Sequence, residues 1–273
     1  MVSVKNPCLV AEGAIMSGVG TDYEQIMVPA IFGVWAPVMA DFVNPIEGER
    51  VLDVACGTGV VTKELYKHVQ PNGSVVGYDS NAEMLATASE ISRAIHWREG
   101  DAMDLPFEDG CFDLVTCQQG YQFFPDRLKA ASEAYRVLNH AGRIGVSAWC
   151  SLSKNPGQAA VVAAVEEHVD LNAAKIVGSS FGLGDKAELK GVFSAAGFRE
   201  LQLITETRPA RFSNPEDLVT GLLRGGALAR LGVKLSADVM AQIKRQVREV
   251  LKSYQTADEL VFPMSANLAL ARK

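Results

Sequence analysis

The sequence predicts an α/β protein built on a parallel sheet with helices on both faces. Three observations carry this reading. Five short apolar runs, "RVLDVAC", "SVVGYDS", "IHWREGD", "FDLVTCQ" and "GRIGVSAW", recur between Arg50 and Trp149 as strand candidates. Helix-like segments lie between several of them. Strand and helix alternate in regular order, which is what crossover connections between parallel neighbours require.

Each element has a local reason. In "TGVVTKELYKHV", Val60, Val61, Leu65 and Val69 fall near helical spacing, and Pro71-Asn72-Gly73 stops the helix. "NAEMLATASEI" reads as a second helix with Asn81 as its cap, and "PDRLKAASEAYRVL" as a third between the fourth and fifth strands. Beyond Trp149 the pattern loosens into a helix, "GQAAVVAAVEEHV", a long strand, "FRELQLITETRPARF", and a terminal strand, "LVFPMSANLALARK". The segment from Ser213 to Asp258 is too long for a plain connection, and Ser213 and Asn214 before Pro215 mark a helix start. Its apolar residues, among them Leu218, Leu222, Leu223, Leu228, Leu231 and Val233, point to a helical cap over the sheet, with a homodimer interface as the alternative. The expected organisation is a helical segment over residues 1–49 that covers the site, a core over 50–212, a cap insertion over 213–258 and the core's terminal strand over 259–273.

Composition narrows the function classes. The chain has 273 residues, a formal net charge of −6 and 48% hydrophobic residues, the profile of a globular protein with ample core. An acidic balance without a Lys/Arg block excludes a general grip on nucleic-acid phosphates. The N-terminus resembles neither a secretory signal nor a transit peptide. The apolar run Ala30–Ala40 falls short of the ~20 residues of a membrane span, so no span and a cytoplasmic location are expected. The five cysteines are odd in number and lack CxxC spacing, so neither a disulfide framework nor a zinc site is expected. No metal is expected.

The chemistry begins at "VLDVACGTGVV". Gly57-Thr58-Gly59 sits at a strand's carboxyl end, where open parallel sheets bind ligands. A dinucleotide fingerprint needs a third glycine where this chain has Thr62, and Asp53 inside the strand would repel a phosphate yet suits an ammonium, directly or through water. Asp79 ends the second strand, where a carboxylate accepts both ribose hydroxyls, and Asp101 follows the third, where it would accept from an adenine amino group. Ribose, adenine and an amino acid's ammonium, without a phosphate cradle, describe S-adenosyl-L-methionine.

The motifs "VLDVACGTG", "GYDSNAEML", "EGDAMDLPFEDGCFDLVTCQQG" and "RVLNHAGRIGVSAW" resemble the successive motifs of class I S-adenosylmethionine-dependent methyltransferases. They are most similar to the small-molecule group with a type 11 domain that includes the ubiquinone/menaquinone methyltransferases. The resemblance is close from Arg50 to Trp149 and extends elsewhere only in layout. It implies a Rossmann-like, seven-stranded, mostly parallel sheet whose final hairpin, Phe198–Phe212 and Leu260–Arg272, carries an antiparallel last strand. It also implies that Gly57 and Gly59 let the backbone approach the cofactor, with Asp53 and Ala55 lining the methionine part. Asp79 would hold the ribose, Met84 pack on the adenine, and Asp101 and Ala102 hold its edge, while Cys117 and Gln118 face the methionine. Thr58, Ser80 and Gly100, which adjoin these residues, count with the cofactor set. Tyr23 and Trp35, in the segment that covers the cofactor in the resembled family, would close the site.

The expected reaction is methyl transfer to a small, largely apolar metabolite at oxygen, nitrogen or carbon, with S-adenosyl-L-homocysteine as product; a non-catalytic cofactor-binding protein is the alternative. Gln119, Tyr121, Phe124 and Trp149 are substrate candidates beside Trp35, with Phe123 helping to shape an apolar pocket; core packing is the plainer role for the aromatic residues. No general base stands out among the four histidines. His68, His96 and His140 fall at the opposite edge of the sheet, and only His168 is left unassigned by topology. In the N-terminal stretch, Tyr23, Met27, Ile31, Trp35 and Val38 fall near one helical stripe that Pro29 and Pro37 should break or bend.

Overall fold

The computed structural model describes residues 9–10, 23–224, 228 and 233–273. Leu231, named above, and Cys8, one of the five cysteines, lie outside the described residues. The sheet strands are β1 (Arg50–Val54), β2 (Ser74–Asp79), β3 (His96–Glu99), β4 (Phe112–Gln118), β5 (Leu138–Trp149), β6 (Arg199–Phe212) and β7 (Leu260–Arg272). They form one seven-stranded sheet in the order β3-β2-β1-β4-β5-β7-β6. β1 to β5 pair in parallel, and β7 runs antiparallel to β5, as the resemblance implied. The strand order reverses between β1 and β4, so their carboxyl ends flank the crevice where such sheets bind ligands.

Among the described residues the α-helices are α1 (Gly33–Val43), α2 (Val60–Val69), α3 (Ala82–Ile91), α4 (Arg127–Val137), α5 (Pro156–His168), α6 (Leu171–Gly178), α7 (Lys186–Ala195), α8 (Pro215–Arg224) and α9 (Ala237–Val250). Alternation along the strands explains the two layers around the sheet. Val51, Val75 and Leu114 turn to one face and pack with Met39 and Val43 of α1 and Leu65 and Val69 of α2. Leu52, Val115 and Ile144 turn to the other face, under Ala130 and Ala134 of α4 and Leu189 and Phe193 of α7. Because β5 starts at Leu138, after an irregular register with β4, His140 lies inside the strand and not ahead of it.

The chain packs as two compact units. One comprises Phe32–Ser151, Leu183–Thr207 and Ser265–Lys273; the other comprises Met1–Ile31, Leu152–Gly182 and Arg208–Met264. This division differs from the sequence boundaries. The segment 213–258 does not stand apart, because α9 packs against α5 and α8, and α5 packs against α6. A helix such as α5, with Gly157, Gln158, Ala160, Val161, Ala164 and Val165 buried, has neighbours on more than one side, which apolar periodicity alone does not identify.

Pro29 and Pro37 do not interrupt the N-terminal helix. Tyr23–Phe32 is π-helical with Pro29 inside it, and α1 follows directly with Pro37 inside it, so the ladder changes register instead of breaking. The helical stretch Tyr23–Val43 is therefore longer than the apolar run read from the sequence. Its 21 residues, with a mean hydropathy of 1.8 over an 18-residue window, make it long and apolar enough to cross a membrane by length and composition. Within α1, Trp35, Ala36, Met39, Ala40 and Val43 are buried, the pattern of a core helix on a sheet.

The end of α1 is tied to the sheet by one cation. Arg143 Nε donates to Val43 O at 2.9 Å and Arg143 Nη2 donates to Asn44 O at 2.8 Å. The same guanidinium meets both oxygens of Glu49, at 2.6 and 2.9 Å, with the two side chains only 10% and 14% exposed. Arg143→Met strips Glu49 of its ion-pair partner, leaving it the Ile46 N–H, and removes the guanidinium donors to Val43 O and Asn44 O. It is expected to cost about 3–5 kcal/mol in urea unfolding. A loss below about 1 kcal/mol, the range of a surface pair, would show that the tie is dispensable.

Candidate active site

The turn after β1 is built from left-handed residues. Ala55 has φ +56°, Gly57 +57° and Gly59 +80°, and Gly59 caps α2. At Gly59 a side chain is excluded twice over, because a Cβ there would lie 2.2 Å from the Trp97 ring. Trp97 stands opposite Gly77 in the β2–β3 register, and the same ring would lie 2.3 Å from a Cβ on Gly77. The indole thus fills the space above a strand glycine and supports the turn, held by its Nε1 donating to Ser92 O at 2.8 Å.

Asp79, at the end of β2, organises the next layer of the site. Its Oδ2 accepts from the Gly57 N–H at 2.8 Å and its Oδ1 from the Asn81 N–H at 2.9 Å. Asn81 in turn caps α3, its Oδ1 accepting from the N–H groups of Glu83 and Met84. Past β3, Asp101 is exposed and its Oδ1 accepts from the Met103 N–H, while Tyr78 Oη donates to Asp101 O at 3.3 Å. Ala102 is partly buried, Met84 is buried on α3, Ser80 is exposed, and Gly100 packs over the Tyr78 hydroxyl. Gly57, Thr58, Gly59, Asp79, Ser80, Gly100, Asp101, Ala102, Cys117 and Gln118 all belong to the loops and strand ends at the carboxyl side of β1 to β4, in one unit.

Asp53 has a different setting from the one the sequence suggested. It shares a face with Val51, and its carboxylate accepts from Thr62 Oγ1 of α2 at 2.6 Å and from Thr116 Oγ1 of β4 at 2.7 Å. Burial pushes its carboxyl up from 3.8 to about 6, against the lowering by both threonines. Both oxygens already have protein donors that the sequence reading did not consider. Burial likewise pushes the thiols of Cys56 and Cys117 up, so Cys117 stays neutral near pH 7.

The substrate candidates pack closely. Trp35 and Trp149 are 2% and 4% exposed and meet edge-on, with ring centroids 5.4 Å apart. Tyr121 is buried against Phe124 at 5.0 Å and Phe193 at 5.3 Å, whereas Phe123 is exposed. Gln119 is buried with φ +57°. Tyr23 belongs to the other unit, as does His168 at the end of α5. Among the described residues, no three His, Cys, Asp or Glu side chains gather in a metal-binding group. Sequence reasoning missed Thr62, Thr116, Trp97 and Gln122; of these, only Trp97 had a sequence cue, a glycine inside a strand.

The site fits S-adenosylmethionine on this structure's own evidence. Thr58 Oγ1 and Gln118 Oε1 are buried without a hydrogen-bond partner, acceptors suited to an ammonium group. Space is open at Gly57, where a Cβ would meet nothing within 4 Å. Asp79 stands at the strand end where a ribose is held. Fold and site together suit S-adenosylmethionine as the cofactor.

Known proteins place the chain more narrowly. The ubiE/COQ5 methyltransferase family matches over residues 11–161, more than half of the sequence, and the chain belongs to that family. It is 40% identical to the demethylmenaquinone methyltransferase of Lactobacillus johnsonii over 36% of this chain and 43% of that protein. It is 31% identical to that of Staphylococcus carnosus over 69% of this chain and 85% of that protein. The alignments with several of these relatives span only about half of the relative's length. Among solved structures, the YcgJ protein of Bacillus subtilis shares the fold with a TM-score of 0.59 at 22% identity, covering 87% of this chain and 97% of that one.

The raised Asp53 carboxyl makes a pH prediction. A folded value near 6 against 3.8 means that its favourable contribution is complete below pH 3.8 and is lost as pH rises through 6. That difference corresponds to about 3 kcal/mol. Relative to the native chain, Asp53→Asn should therefore gain stability by up to about 3 kcal/mol between pH 4 and pH 7. Urea unfolding can follow this by tryptophan fluorescence, since all three tryptophans lie in the sheet-bearing unit. Parallel stability curves for the two proteins across that range would refute the assignment.

Proposed function

We propose that the chain transfers a methyl group from S-adenosylmethionine to a carbon, oxygen or nitrogen nucleophile of a small, largely apolar acceptor. A ring carbon of a quinone-type metabolite fits best. The family match over residues 11–161 carries the reaction class. The names of the demethylmenaquinone methyltransferases it resembles support the ring acceptor.

When bound, S-adenosylmethionine would supply an activated methyl on a positive sulfur, with S-adenosylhomocysteine as the product. The protein's part is binding, orientation and exclusion of water. Asp79 holds the ribose hydroxyls, since a carboxylate accepts several hydrogen bonds and keeps those from Gly57 and Asn81. The open backbone at Gly57 and the turn through Gly59 admit the methionine part beside Ala55. Gln118 Oε1 and Thr58 Oγ1 accept from the ammonium, and Asp53 adds negative charge from behind its threonines. Met84 packs on the adenine, with Asp101, Ala102, Gly100 and Ser80 at its edge. Cys117 provides a neutral wall and does not serve as a base, because its thiol remains protonated.

Asp79→Ala is expected to weaken S-adenosylhomocysteine binding by about 1.5–3 kcal/mol for each charge-assisted hydrogen bond lost. Calorimetry checks this, with Asp79→Asn as a folded control that keeps one acceptor oxygen; unchanged affinity in Asp79→Ala would remove the ribose assignment. The reaction itself is tested with methyl-labelled S-adenosylmethionine and a reduced naphthoquinone that lacks the ring methyl. Label is expected in the ring. Tight cofactor binding with no label passed to this probe or to any small molecule of a bacterial extract would replace the enzyme with a non-catalytic binding protein.

A further inference from the structure

The chain after β4 carries more polar capacity than the fold uses. Gln119 adopts φ +57°, a conformation few residues other than glycine take up, and its N–H donates to Ser147 O at 2.9 Å. Its Nε2 donates to Ser147 Oγ at 3.3 Å. Gln122, in the single turn of 3-10 helix Tyr121–Phe123, donates from Nε2 to Gln119 O at 2.7 Å. Both glutamines are more than nine-tenths buried, 6% and 7% exposed, and the Oε1 of each has no hydrogen-bond partner.

The two amides share one polarity. Each uses its N–H group on the protein and leaves its carbonyl unused. For Gln122 this orientation is fixed, because a flipped amide would set its oxygen against the carbonyl of Gln119. Buried acceptors without donors are costly, and the fold uses only the donor half of each amide. Gln119 follows directly on Gln118 at the carboxyl end of β4 and Gln122 lies in the turn just beyond, both in the same unit as the cofactor residues.

We propose that Gln119 and Gln122 form an acceptor-only reading site for a hydroxyl or N–H group on the methyl acceptor. This rests on the reading that a small aromatic acceptor docks at this end of the sheet. The two carbonyls bind a donor-bearing ring and turn away its methyl ether, which offers only an acceptor or a bare methyl. They act as specificity-determining residues: they orient the acceptor and take no proton from it.

The test measures binding to protein saturated with S-adenosylhomocysteine, with 1-naphthol and 1-methoxynaphthalene as probes in calorimetry. The native chain should prefer 1-naphthol by about tenfold or more. Gln119→Met and Gln122→Met should each abolish most of that preference, leaving 1-methoxynaphthalene within about twofold and S-adenosylhomocysteine affinity intact. Gln122→Lys is the discriminating variant. It keeps a donor for the Gln119 backbone carbonyl and removes the acceptor oxygen, so the preference should fall as far as in Gln122→Met. If Gln122→Lys keeps the preference, Gln122 only holds the turn and the proposal is overturned; equal affinity of the native chain for the two probes, or no binding of either, overturns it as well. A preference for 1-naphthol without label transfer in the methylation assay would sink the methyl-transfer reading and leave this one standing.

Discussion

The site hangs on one carboxylate. Asp79 receives the Gly57 N–H from the turn after β1 and the Asn81 N–H from the start of the loop into α3, and so fixes two adjacent strand ends against each other. Through Asn81 the same link reaches the first turn of α3 and the backbone of Met84. The left-handed residues Ala55, Gly57 and Gly59 are then held by a partner from the neighbouring strand and not by their own propensity. A ligand that engages Asp79 therefore engages the geometry of the whole crevice.

The three acids read from the sequence divide by burial into three chemical environments. Asp101 faces solvent, Asp79 is half-buried among backbone N–H groups, and Asp53 is enclosed between two threonines. Burial raises the carboxyl of the enclosed one to about 6, against the lowering by its two threonines. Local context, not residue type, sorts them.

Much of this was legible in the chain. Alternation through Val51–Val54 and Leu114–Cys117, with the glycines at a strand end, is local information, and it identified the sheet and its crevice. The partners of Asp53 were not legible as such. Thr116 is 63 residues away, and its role depends on β1 and β4 being neighbours in register. Trp35 and Trp149 read as site candidates with core packing as the plainer role, and their mutual edge-on packing shows how closely they are enclosed. The second unit was the least legible, because α5, α6, α8 and α9 bury small and branched residues whose periodicity marks a helix without naming its neighbour.

The indole of Trp97 joins two glycines that are otherwise unrelated in the sequence, Gly59 in the turn and Gly77 in β2. Neither glycine is free to change while that ring is present, and the ring is what fills the space they leave. The three positions therefore behave as one inherited character. A chain with a small residue at the position of Trp97 loses the steric reason for glycine at 77, and the turn at 59 then answers only to its backbone conformation. Drift in this part of the molecule must proceed by exchanging the ring first and the glycines afterwards, a one-way order imposed by volume alone.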